Sequence, residues 1–217
     1  MTTQKIYQLP VEITDWKFEG ATEIHFNWEY DDGSSDLLNL YEKGKQQQWD
    51  TSTRIDWSQE LFEDNPMGMA DETIPIYGSP VWQKMTEKER NWLRFNLQCH
   101  SICQFMHGEQ GALIATAKIV STVPDMNAKF YAATQVMDEA RHVETYKRLI
   151  HEKFKQAYPI TESLKNLLEQ TLSATSARNS RSRRCISCAT ASTSRRCGNG
   201  SACRPSCWTR STTIQSR

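Results

Sequence analysis

The chain has 217 residues, with 26 basic and 26 acidic side chains and a formal net charge of zero. That length suffices for one domain with a sizeable core, but the zero hides an asymmetry. Every acid lies at or before Glu169, where 26 acids face 17 basic residues for a net of −9, while residues 170–217 carry nine arginines and no acid. The opening MTTQKIYQLP lacks the apolar stretch of a secretory signal, and the most apolar run, GALIATAKIVSTV, is short and contains Lys118. Export and membrane insertion are therefore set aside, and a cytoplasmic protein is expected.

Residues 22–30 alternate Ile24, Phe26, Trp28 and Tyr30 with polar neighbours, a period of two between turn-forming EGA and DDGSS. This predicts an N-terminal arm over residues 1–33, irregular or holding a short strand. DLLNLYEKGKQQQWD reads as one short helix, with Ser34 or Ser35 at its cap. Residues 58–80 contain Pro66, Pro75 and Pro80 and read as a wrapping loop. TEKE then forms a capping box, Thr86 with Glu89, that opens a helix running to Val123 and stopped by Pro124. Its apolar stripe is expected at Cys99, Ile102, Cys103, Met106, Leu113, Ala117 and Val120, and Glu109 falls inside it. A second long helix is expected from about Asp125 to Ala157, closed by Tyr158-Pro159. The connection between the two is so short that they should pack antiparallel. A third helix begins near Thr161, with Leu164, Leu167, Leu168 and Leu172 on one side. The expected helical domain spans residues 34–172.

Positions three apart on a helix share a face, so Glu139 and His142 point the same way. Alone they would pass for a solvated acid and base. Glu109 changes that reading, because it and Glu139 lie about equally far from the turn at Pro124 and so, at a rise of roughly 1.5 Å per residue, at the same height on antiparallel helices. Burying two carboxylates bare costs several kcal/mol each. A cation removes that penalty, and mixed carboxylate and imidazole ligation suits iron or manganese better than zinc. Asp138 and Arg141 are either a second layer around the ligands or a simple surface ion pair. Glu42 and Glu144 read as solvated charges, and His107 as a polar neighbour of Glu109.

HGEQGALIATAKIV followed by QVMDEARHVETY resembles the first half of the site in ferritin-like di-iron carboxylate oxygenases, the superfamily of bacterial multicomponent monooxygenase hydroxylases. LYEKGKQQQWDTSTRIDW is similar to the segment that precedes the bundle in some of them. The resemblance covers residues 35–172 and implies an all-α, ferritin-like bundle. It implies Glu109, Glu139 and His142 as metal ligands, Asp138 as acceptor for an imidazole N–H across the site, and Arg141 as the group that holds Asp138. It further implies a di-iron or manganese–iron centre, dioxygen and a small organic substrate as reactants, and a separate reductase as electron donor.

That family also needs a second Glu helix and a second Glu-x-x-His helix. No His follows His151 and no acid follows Glu169, so the bundle is expected to be incomplete: two long antiparallel helices plus shorter ones. Residues 173–217 show neither apolar period and almost no Leu, Ile or Val, which predicts a disordered tail. Its Arg, Ser, Cys, Thr and Ala composition is that of an alternative reading frame of a GC-rich gene, which would replace the second half of the bundle. Cys185, Cys188, Cys197, Cys203 and Cys207 lack the second tight pair of a zinc knuckle. The arginines come with no recognition fold, so no nucleic-acid partner is expected. Two other readings stand beside the oxygenase: a ferroxidase-like homodimer that completes six ligands across a two-fold axis, and a helical interaction module without metal.

Overall fold

The structure, a computed structural model, describes residues 24–26, 28, 30 and 33–173. Its elements are α1 (Ser35–Gln46), α2 (Thr51–Arg54), a 3-10 turn (Asp71–Thr73), α3 (Pro80–Lys84), α4 (Glu87–Thr122), α5 (Met126–Leu149), a π turn (Ile150–Phe154) and α6 (Glu162–Ser173). The protein is all-α, with no strand among the described residues. The expected tail lies outside the described residues, as do residues 1–23 of the arm. Where the arm is described, the irregular form holds and the strand does not. His25 N–H donates to Ser121 O at 2.9 Å rather than to a ladder partner, and Ile24, Phe26 and Trp28 are exposed.

The start of α4 is fixed locally. Thr86 N–H donates to Glu89 Oε2 at 2.7 Å, and Glu89 N–H donates back to Thr86 Oγ1 at 3.3 Å. Pro124 ends the helix, and the Asp125 side chain accepts from Ala128 N–H to open α5. The short connection makes α4 and α5 an antiparallel hairpin. The wrapping loop is tied to α4 by Arg94, which grips Asp71 through two bonds of 2.7 and 2.8 Å, and by Gln98, which accepts from Met67 N–H at 2.7 Å. Ser34 takes the cap position of α1 without a side-chain bond to the helix. Its N–H goes instead to Asp125 Oδ2 at 3.1 Å, which docks α1 at the start of α5.

Two findings revise the sequence reading. The stripe on α4 holds through Cys99, Ile102 and Cys103, which join Ile150 and Phe154 in one core cluster. Beyond Glu109 it turns: Ala117 is exposed, and Gly111, Ala112 and Ala115 are buried instead. The reason is α6, whose Leu168 and Leu172 pack on Ala112 and Ala115. A side chain at Gly111 would collide with Leu168. The second revision concerns α5, which does not run on as α-helix to Ala157. It widens into the π turn, whose Ile150 and Phe154 are both buried, and stops where Lys155 adopts φ 54°. No helix among the described residues is long and apolar enough to cross a membrane.

Candidate metal centre

Glu109 on α4 and Glu139 and His142 on α5 converge. His142 Nδ1 lies 3.1 Å from Glu139 Oε2 and 3.4 Å from Glu109 Oε2, and one ligand atom from each residue lies within 4.8 Å of the others. The pairing follows from the hairpin: the shared face of Glu139 and His142 is set by their spacing, and Glu109 faces them from the antiparallel partner. Both carboxylates are buried, while the His142 side chain keeps 20% of its exposure.

Without a cation the three groups share protons. Burial lifts the Glu139 carboxyl, and the nearby Glu109 charge adds to this, pushing it up to about 7. Burial opposes the charged imidazole of His142, but the two carboxylates outweigh it and push it up to about 9. Burial also opposes the Glu109 charge, yet its bonds to His142 and Glu139 hold the carboxyl below its usual range. Two acids and one base, packed away from water at this separation, fit a divalent cation by charge and by donor type: hard oxygens with one imidazole nitrogen.

Arg141 bonds Asp138. Arg141 is itself buried, and its Nη1 donates to Gln48 Oε1 at 2.6 Å and to Trp49 O at 3.1 Å. The Tyr146 hydroxyl is pushed up to about 12 by burial and by the Glu109 charge, and its ring lies 6.1 Å from Phe105. His107 is not part of the group; its Nε2 is 3.0 Å from Tyr158 O. A cleft of about 300 Å³ beside the pair is lined by Met106, Gln110, Leu113, Val143, Lys147, Ile150 and His151.

Trp49 is the neighbour that sequence reasoning missed. Its ring centroid lies 6.2 Å from that of His142, tilted by 33°. The signal in the sequence is indirect: Trp49 stands in the segment that resembles the oxygenases, but no period or spacing links it to α5.

An antiparallel helix pair that brings Glu from one helix against Glu-x-x-His on the next matches half of the ligand pattern of ferritin-like di-metal carboxylate bundles. The chain belongs to the family of P-aminobenzoate N-oxygenase AurF, ferritin-like di-iron oxygenases that act on an organic substrate with dioxygen; the family's model matches residues 31–179. No curated protein and no solved structure matches the chain.

Proposed function

We propose that this chain carries the first half of a di-iron N-oxygenase centre, with Glu109, Glu139 and His142 as its ligands. The observation that supports this most directly is the convergence of three ligand atoms within 4.8 Å, two of them from buried carboxylates on adjoining helices. Iron, alone or paired with manganese, supplies dioxygen activation when bound. The protein's part is to supply charge and orientation. Glu109 and Glu139 offset the cation's charge, and His142 presents an imidazole nitrogen. Asp138, held by Arg141, would accept an imidazole N–H once a complementary helix supplied one. The substrate class follows the family's name, an aromatic amine such as p-aminobenzoate, and electrons come from a separate reductase. Two metal ions need more ligands than these three, so the chain alone binds metal without turning over.

Anaerobic Fe(II) titration of the full chain, followed by metal analysis after desalting, tests the reading. Stoichiometric iron that disappears in Glu109→Ala and Glu139→Ala supports it, together with no dioxygen uptake when p-aminobenzoate and reductant are added. An iron content that is nil overturns it and leaves the helical interaction module, and one unchanged by both substitutions overturns it by placing the iron elsewhere.

A second reading is favoured by Ile114, Phe130 and Met137, apolar side chains that stay exposed along α4 and α5. Two copies that bury such a face could pool their ligands across a two-fold axis, as in a ferroxidase. Sedimentation with and without Fe(II) separates the two: an iron-dependent dimer supports the pooled site, and an iron-indifferent species opposes it.

A further inference from the structure

Residues 48–57 lie as a strap along α5, fastened by three side chains spaced at helical turns. Arg141 holds the Gln48 amide and the Trp49 carbonyl. The Thr145 and Thr51 hydroxyls meet at 2.7 Å, and Thr51 is 1% exposed. Arg148 lies 4.4 Å from the Trp57 ring centroid and reaches Ser52 Oγ at 3.4 Å. The strap also secures itself. Asp50 Oδ1 accepts from Ser52 N–H at 2.7 Å, and Trp57 Nε1 donates to Thr51 O at 2.8 Å. What this fastening places is Trp49, with the Arg141 guanidinium 5.4 Å from its ring and the His142 imidazole beside it. Among the three candidate ligands, His142 has the most exposed side chain, at 20% against 7% and 8% for the glutamates.

We propose that Trp49 is the positioning residue of the metal centre. The strap, clamped to α5 at Arg141, Thr145 and Arg148, presses the indole against the imidazole, fixes the ring's orientation and screens it from water. This rests on the reading of Glu109, Glu139 and His142 as metal ligands. It adds a role for a residue far from them in the chain. Arg141 holds the backbone carbonyl of Trp49 and also lies over its ring, while the His142 imidazole lies beside that ring, and a bare packing contact needs no such arrangement.

The test loads the full-length protein with Co(II), which has visible ligand-field bands and quenches nearby indoles. The parent should take up Co(II) with a fall in tryptophan emission. Trp49→Phe should keep the uptake and lose most of the quench, although six of the seven tryptophans remain. On addition of EDTA, Trp49→Ala should release Co(II) about tenfold faster than the parent. Trp49→Phe should release it at the parental rate. Arg141→Lys, which keeps the charge but loses the planar fork, should fall between them. An undiminished quench in Trp49→Phe, or a parental release rate in a folded Trp49→Ala, overturns the inference. If circular dichroism shows Trp49→Ala unfolded, the quench in Trp49→Phe decides alone. A parent that takes up no Co(II) is a different failure, that of the metal centre itself.

Discussion

At Glu139 and His142 the folded, metal-free chain binds more protons than the unfolded one. Glu139 titrates near 7 and His142 near 9, against ordinary values of about 4.3 and 6.5. Stability that depends on these protons is fully present below those ordinary values and is lost as pH rises through about 7 and then about 9. Thermal melting of the metal-free protein should therefore fall between pH 5 and pH 9. Metal uptake runs the other way, because a cation displaces those protons. Mn(II) affinity should climb over the same interval, by about tenfold per pH unit for each proton displaced, and a flat profile in an Mn(II) EPR titration would contradict this. Glu109→Gln keeps the shape and removes one charge. It should lower the metal-free melt, because the charged His142 loses one of its two carboxylate partners, while abolishing stoichiometric metal.

Elements differ in how much their own residues decide. The capping box at Thr86 and Glu89 and the stop at Pro124 are local chemistry, and both were readable from sequence. The turning of the buried face on α4 was not, because it depends on α6 arriving over Gly111, Ala112 and Ala115. The π turn was hidden for a related reason: Ile150 and Phe154, four apart, would share a face in an ordinary α-helix too, and the cluster that buries them is set by distant parts of the chain. Two substitutions test these assignments. Gly111→Ala places a methyl group against Leu168 and should destabilise by roughly 1–3 kcal/mol, seen as a lower melting temperature. Lys155→Gly relieves a left-handed residue at the close of the π turn and should raise stability by up to about 1 kcal/mol, measured by urea unfolding. A drop in that midpoint would mean that the Lys155 conformation carries no strain.

For the molecule as a whole, the candidate site was legible where its partners lie one hairpin apart and illegible where they do not. Glu109, Glu139 and His142 could be brought together by helix period and by equal distance from one turn. Trp49 could not, since its carbonyl meets Arg141 from 92 residues away, and no spacing rule spans that interval. The family match over residues 31–179 sharpens the question of residues 173–217. If the reading frame changes near codon 173, another frame of the same gene should encode a Glu helix followed by a second Glu-x-x-His. Nucleotide sequence past codon 172 answers this, and three frames without that pattern would refute the frame change.

The strap has a kinetic consequence. Contacts between α4 and α5 join residues about thirty apart, such as Glu109 and His142, whereas those of Gln48, Thr51 and Ser52 with α5 span 93 to 96 residues. Loop-closure entropy favours the shorter connections first, so the hairpin should assemble before the strap docks. During that interval the two glutamates and the histidine are already gathered but not yet covered, which makes nascent protein the species best placed to capture an ion. Refolding followed through the Trp49 indole should accordingly lag refolding followed by helical circular dichroism.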